Sequence, residues 1–168
     1  MTPDDEKWMR EALRVATFRG SDPSVTPIGA VIVHDGRIIA EARNECDTLH
    51  DPTAHAEMIA FRHAGATLAS EDNPAGEMRG ATLYSTLQPC GMCTMASIWA
   101  KVGRVVYGAG RDDVHRMYFE ARHTDTIAFI ADAYRDDIGI EGGVLREACA
   151  ALYYGPDDVV SQDEQGNL

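Results

Sequence analysis

The sequence is poor in positive charge. It has 15 lysine and arginine residues against 27 aspartate and glutamate residues, which gives a formal net charge of −12 at pH 7. A chain with this balance repels a phosphate backbone at long range, so a nucleic-acid partner would need a local basic patch that the composition does not indicate. The composition therefore favours a small substrate and argues against a nucleic-acid partner.

The sequence also lacks long apolar runs and a cysteine-rich pattern. No stretch approaches the roughly 18 apolar residues that a membrane span requires, and the first ten residues, MTPDDEKWMR, carry acids instead of an apolar signal core. The four cysteines are too few and too unevenly spaced for a disulfide-bonded scaffold. We therefore expect a cytoplasmic chain that does not contact a membrane.

The length and composition suit one globular domain with its own core. The chain has 168 residues, of which 45% are hydrophobic and 25% charged. We expect this domain to cover residues 1–154. Residues 155–168 contain four acids and no base, so we expect them to form an acidic, mobile tail.

Hydrophobic periodicity predicts alternating strands and helices. Asp35-Gly36 lies between two β-rich runs and predicts a hairpin with a type I′ turn. The predicted strands are residues 28–34, 37–43, 81–86, 104–108 and 138–140. The predicted helices cover residues 5–19, from His55 to a stop at Gly65, from Pro89 to about 101, around 127–133, and 143–154.

These elements predict an α/β fold. About 30 residues with a helical pattern separate the last two strands, which is enough for a crossover that makes the strands parallel. The hairpin supplies an antiparallel part. We therefore expect a three-layer α/β/α sandwich around a mixed five-stranded sheet.

Two short motifs carry the chemistry. His55-Ala56-Glu57 opens one predicted helix, and Pro89-Cys90-Gly91-Met92-Cys93 opens another, with Cys90 35 residues after His55. Thiolates are favoured at a helix N-terminus, where N–H groups are unpaired and the dipole is positive. Two thiolates and one imidazole leave the fourth position of a tetrahedral zinc open to water, and Glu57 is then the natural base.

At these residues the sequence resembles the cytidine deaminase-like superfamily, whose zinc motif has this form. The resemblance implies the cytidine deaminase-like fold and one catalytic Zn²⁺ per chain, held by His55, Cys90 and Cys93. It also implies that Glu57 takes a proton from the attacking water and passes it to the ring, while the amino group leaves as ammonia. No organic cofactor is needed. Some members of the superfamily form dimers through the two helices that begin at the zinc motifs. The resemblance therefore implies a homodimer that pairs through these two zinc helices.

The resemblance also suggests a substrate pocket. It places Asn44, 11 residues before His55, against the bound base, and it adds Ala56 and Ile28 to the same pocket. Glu120 could accept a hydrogen bond from a guanine-like N–H, although a solvated glutamate on a helix face is an equally good interpretation. Phe119 could stack on a base or belong to the core.

The parallel last strands are typical of the branch that contains guanine, tRNA adenosine and fungal cytosine deaminases. We expect a small free nucleobase or nucleoside as the substrate, with a guanine-like ring ahead of a cytosine-like ring. A tRNA adenosine deaminase is the first alternative, because the run 143–149 resembles the last helix of the bacterial enzymes. Gln88 and Arg111-Asp112-Asp113 depart from the pattern of those enzymes, which have Glu before Pro-Cys and a lysine-containing loop.

Two alternatives belong to other functional classes. A noncatalytic, zinc-stabilised binding subunit would keep the metal ligands, but such subunits resemble deaminases that have lost the proton-transferring glutamate, and Glu57 is present. A thioredoxin-like redox role for Cys90-x-x-Cys93 would leave His55, Glu57 and Asn44 without a purpose.

Overall fold

A five-stranded mixed sheet is the centre of the computed structural model, which describes residues 1–119, 125–132 and 137–161. The strands are β1 (Gly29–His34), β2 (Arg37–Arg43), β3 (Thr82–Leu87), β4 (Arg104–Ala109) and β5 (Gly139–Glu141). Their order in the sheet is β2-β1-β3-β4-β5. The central strands β1, β3 and β4 are almost wholly buried; β1 is largely apolar, whereas β3 carries hydroxyl residues that are buried with it.

Helices cover both faces of this sheet. They are α1 (Asp5–Thr17), α2 (Cys46–Leu49), α3 (Ala56–Leu68), α4 (Gly91–Trp99), α5 (Thr126–Ala131) and α6 (Arg146–Ala150). Helix α1 packs on β1 and β3 and helix α6 on β4, while α3 packs on β1 and β2 and contacts α4. The predicted three-layer α/β/α sandwich is confirmed.

Strand directions follow the prediction. β1 is antiparallel to both β2 and β3, whereas β3, β4 and β5 run parallel. At the hairpin, Asp35 and Gly36 have φ values of 49° and 69°, as a type I′ turn requires. The parallel strands end at one edge of the sheet, which also carries the motif that follows β3.

A buried carboxylate ties the first helix to the sheet. Asp5 is fully buried and accepts two hydrogen bonds from the guanidinium of Arg104 at 2.6 and 2.8 Å. The hydroxyl of Tyr84 donates to the same carboxylate at 2.9 Å, and Arg104 also pairs with Glu141. The hydrogen bonds from Arg104 hold the pKa of Asp5 well below its usual range, despite the opposing effect of burial.

Helix α3 is longer than predicted. It continues past Gly65 to Leu68, because a glycine inside a helix costs only about 1 kcal/mol and does not by itself end it. The end is set instead by Asn73, whose amide donates to the carbonyl of Leu68 at 3.2 Å. The predicted stop at Gly65 was wrong.

The last helix is much shorter than predicted. Instead of residues 143–154, α6 covers only Arg146–Ala150. Gly143 and Leu145 have φ values of 85° and 52°, which a right-handed helix cannot contain. After α6 the chain turns and brings the hydroxyl of Tyr153 to 2.7 Å from that of Thr86 on β3.

The predicted tail is only partly within the described residues. Val160 is buried in the hydrophobic core, and residues 162–168 lie outside the part that the structure describes. The domain boundary at residue 154 stays a prediction. None of the helices within the described ranges has the length and apolar character that a transmembrane span needs.

Candidate metal centre and active site

Two helix N-termini meet at the carboxyl end of β3. His55 immediately precedes α3 and Cys90 immediately precedes α4, each in an extended backbone conformation. Cys93 is fully buried in the first turn of α4. The Nδ1 atom of His55 lies 3.6 Å from the Sγ atom of each cysteine, and all three donor atoms lie within 4.8 Å of one another. The structure therefore brings the three predicted ligands together.

The geometry of this donor set fits zinc. Tetrahedral zinc with Zn–S of about 2.3 Å and Zn–N of about 2.0–2.1 Å requires a separation of about 3.6 Å between the nitrogen and each sulfur. The distances from His55 to Cys90 and Cys93 have this value. Three protein ligands leave one tetrahedral position for water or substrate, as catalytic zinc sites do. The arrangement of His55, Cys90 and Cys93 therefore fits a zinc ion with one open position.

The two thiols have unequal proton affinities. Hydrogen bonding from Cys93, supported by His55, lowers the pKa of Cys90 to about 4. Contact with Cys90 and burial raise the pKa of Cys93 well above its ordinary value. Two neighbouring thiolates repel each other without a cation, so the pair is matched to a divalent metal that compensates both charges.

Glu57 lies beside the metal ligands in the first turn of α3. Its side chain is 2% exposed, and burial, with the nearby Cys90, raises its pKa. The hydroxyl of Ser85 donates to Oε1 at 3.4 Å. Within the described residues, the buried Oε2 atom has no hydrogen-bond partner. A carboxylate with one anchored and one unsatisfied oxygen is arranged to accept and return a proton.

Asn44 and Ile28 meet beside the segment that leads into α3. The backbone N–H of Asn44 donates to the carbonyl of Ile28 at 2.9 Å, and the N–H of Glu45 donates to the carbonyl of Ala54 at 3.0 Å. The thiol of Cys46 donates to Oδ1 of Asn44 at 3.2 Å. Ala56, the first residue of α3, is fully buried. Direct contact of Asn44, Ile28 and Ala56 with a substrate stays a prediction.

Two further candidates for contact with the substrate were Phe119 and Glu120. Phe119 is 2% exposed and belongs to the hydrophobic core, where the guanidinium of Arg111 lies over its ring at 4.2 Å. This position suits its interpretation as a core residue. Glu120 lies outside the described residues, so its proposed contact with a guanine-like ring stays a prediction.

A cavity of about 440 Å³ opens at the same edge of the sheet. It is lined by Gln88, which precedes the cysteine motif, and by charged residues that include Asp113, Asp125 and Arg146. Arg146 is bonded to the Asp113 carboxylate through Nε at 2.8 and 2.9 Å. Arg146, one of the two arginines that line this cavity, is therefore neutralised by an acid of the same chain.

Sequence reasoning missed the residue beneath Glu57. Ser85 lies within the predicted strand 81–86, where it is fully buried and its hydroxyl reaches Glu57. The signal was a single hydroxyl between apolar residues on one face of a central strand. The contact of Cys46 with Asn44 likewise could not be predicted from the spacing of these residues in the sequence.

Fold and site together define a zinc-type deaminase. Residues 2–109 match the family model of the cytidine and deoxycytidylate deaminase zinc-binding region, and the chain belongs to this family. A tRNA-specific adenosine deaminase of Buchnera aphidicola is 32% identical over 88% of this chain and 90% of its own length. A guanine deaminase of Bacillus subtilis is 43% identical over 56% of this chain and 57% of its own length.

Coverage of the relatives is uneven. The chloroplastic tRNA(adenine(34)) deaminase of Arabidopsis thaliana is 46% identical over 62% of this chain, but the match spans only 8% of that protein. Among solved structures, a mutant of NE0047 in complex with 8-azaguanine has a TM-score of 0.70 and 26% identity, over 88% of this chain and 81% of that chain. A structure from work on A-to-I editing by tRNA:A34 deaminases has a TM-score of 0.62 and 29% identity, over 85% of this chain and 99% of that chain. Deaminases are hydrolases of carbon–nitrogen bonds, and the family assignment extends this class of reaction to the chain.

Proposed function

We propose that this chain hydrolytically deaminates a small free nucleobase or nucleoside, with a guanine-like ring ahead of a cytosine-like ring. The reaction replaces an exocyclic amino group with oxygen from water and releases ammonia. The observation that carries the proposal is the buried Glu57, whose Oε2 atom has no hydrogen-bond partner in the described residues, beside the donor set His55, Cys90 and Cys93. A purely structural zinc site has no need of such a carboxylate.

Zinc, when bound, polarises water and so supplies the nucleophile. Glu57 would accept one proton from the attacking water and deliver it to the ring nitrogen next to the attacked carbon. It would then carry the second proton, from the hydroxyl now on that carbon, to the amino nitrogen, so that the C–N bond breaks, the carbonyl forms and ammonia leaves. Oδ1 of Asn44 accepts from Cys46, and the Nδ2 group, the donor of this amide, would donate to the ring.

The distribution of charge supports a small substrate. The chain has only two lysines, Lys7 and Lys101, and Arg146 at the opening is bonded to Asp113. Nucleic-acid binding draws much of its affinity from cations that contact phosphates. Cations already paired with acids would have to break those pairs first, which favours a substrate without phosphates.

A tRNA adenosine deaminase is the second candidate. The observation that favours it is the Buchnera relative, which bears this name and matches over 88% of the chain. The same donor set and glutamate could act on a base turned out of an RNA loop. The two candidates differ in substrate and not in the residues that carry the chemistry.

An ammonia-release screen separates the two candidates. The zinc-loaded protein is incubated with guanine, guanosine, cytosine, cytidine, adenine and a tRNA that carries adenosine in its anticodon loop, and Glu57→Gln serves as the blank. We expect release from one of the free rings, guanine first, and none from tRNA. Turnover of tRNA alone would replace the proposal with the second candidate, and release from no substrate would remove both.

We also propose that the chain forms a homodimer through its zinc helices. Trp99 ends α4 and is 71% exposed, which is unusual for so large an apolar side chain in a monomer. Sedimentation equilibrium should give twice the chain mass, and Trp99→Ser should weaken association. A monomeric mass for the unmodified protein would contradict this part of the proposal.

A further inference from the structure

Alternation along β3 separates its polar side chains between the two faces of the sheet. Tyr84 donates to Asp5 of α1, and Thr86 bonds to Tyr153 beyond α6. Ser85, between them, points to the opposite layer and donates to Glu57 of α3. Successive side chains of a strand point to opposite faces, so the position of Ser85 beneath Glu57 is fixed by the register of the sheet.

The hydroxyl of Ser85 has no obvious structural purpose. Its residue is paired on both sides, with Ala30 of β1 and Tyr107 of β4. Leu83 and Leu87, two positions away on the same face, are 0% and 2% exposed. A buried hydroxyl costs free energy unless it is hydrogen-bonded, and an alanine would fill this position without that cost. The contact with Glu57 is therefore the feature that needs an explanation.

We propose that Ser85 is a positioning residue for Glu57. This inference rests on the proposed function, because it assigns to Glu57 the transfer of protons. The Ser85 hydroxyl donates to Oε1 and fixes the carboxylate plane, which leaves Oε2 for the proton that moves. Ser85 itself exchanges no proton with the substrate. The distance of 3.4 Å is long for an O–H···O bond, and on this proposal it shortens in the complex with substrate.

The first test compares Ser85→Ala with Ser85→Thr on whichever substrate the wild-type protein turns over. A hydrogen bond to a charged group is lost in the alanine variant and kept in the threonine variant. We expect Ser85→Ala to lower kcat by about 10- to 100-fold with KM changed by less than about 3-fold, and Ser85→Thr to recover most of kcat. Zinc content and the melting temperature of Ser85→Ala should stay at wild-type values.

A double-mutant cycle with Glu57→Gln distinguishes positioning from a general structural effect. If Ser85 acts through Glu57, adding Ser85→Ala to Glu57→Gln lowers the residual activity no further. Wild-type kcat in Ser85→Ala, or a loss that multiplies with that of Glu57→Gln, overturns the proposal. The double-mutant cycle does not use Ser85→Thr, so it tests the proposal even if that variant does not fold.

Crystal structures of the wild-type protein and of Ser85→Ala test the role of Ser85 without a substrate, and so independently of the proposed function. In the zinc-loaded wild-type protein, Oγ of Ser85 should lie within about 3.2 Å of Oε1, and Ser85→Ala should show the Glu57 side chain in another or a mixed conformation. An unchanged Glu57 conformation in the variant overturns the role of Ser85 whether or not a substrate has been found. Absence of turnover with an ordered Ser85–Glu57 contact rejects the proposed function and leaves only the effect of Ser85 on the conformation of Glu57.

Discussion

Removal of Arg104 should have a large effect on stability. Arg104→Met keeps much of the apolar stem but removes both hydrogen bonds to Asp5 and the pair with Glu141. The buried Asp5 carboxylate then keeps the hydrogen bonds from Tyr84 and from the N–H of Thr2. Leaving one partner of a buried ion pair uncompensated costs about 3–5 kcal/mol. For a chain of this size that corresponds to a fall in Tm of about 6–20 °C.

The assay is urea and thermal unfolding of zinc-loaded wild-type protein, Arg104→Met and a control, Arg10→Met. Arg10 pairs with Glu6 on the exposed face of α1, with both side chains more than half exposed. Such a surface pair contributes at most about 1 kcal/mol. A loss for Arg104→Met no larger than that for Arg10→Met would refute the account of Asp5 as a buried anchor.

The pH dependence of the free energy of unfolding gives a second test of the Arg104–Asp5 pair, and its direction can be predicted. Hydrogen bonds from Arg104 lower the pKa of Asp5 in the folded protein. A lowered folded-state pKa contributes stability that is fully present above the unfolded value of about 3.9 and is lost as pH falls towards the folded value. In Arg104→Met this contribution is gone. The difference in stability between wild type and variant should therefore narrow below about pH 4, and a constant difference would contradict the assignment.

Two further predictions concern packing and the metal. Gly29→Ala would place a Cβ atom 2.2 Å from the backbone carbonyl of Ala12 in α1, so thermal unfolding should show a loss of at least about 2 kcal/mol. Gly139→Ala, with its nearest neighbour at 3.8 Å, should stay near wild type, and equal losses would contradict the close approach of β1 and α1. Removal of zinc with a chelator should lower Tm and added zinc should restore it, because the metal binds the folded state. An unchanged Tm on chelation would count against tight zinc binding.

Most of the fold followed from local signals. The Asp35-Gly36 turn fixed the hairpin, and the length of chain between the last two strands allowed them to be parallel. Those signals failed at the C-terminal end, where the left-handed conformations of Gly143 and Leu145 restrict α6 to five residues. Nothing in the local periodicity of the run 143–154 reveals such backbone angles.

The meeting of His55, Cys90 and Cys93 was predictable because each motif lies at a helix start, and helix starts have clear sequence signals. Ser85 was not, since its role depends on which residue of α3 lies over β3. Phe119 shows the same limit, because an aromatic residue near a site can stack on a ligand or fill the core, and only packing decides. Contacts between elements distant in sequence account for most of what was missed.

Parallel measurement of zinc content and ammonia release in wild type and Glu57→Gln tests the central claim most directly. Glutamine keeps the shape of the side chain and removes its capacity to accept a proton. We predict about one zinc per chain in both proteins and a loss of ammonia release of at least about 100-fold in the variant. Wild-type release by zinc-loaded Glu57→Gln, on the substrate that the screen identifies, would contradict the assignment of proton transfer to Glu57.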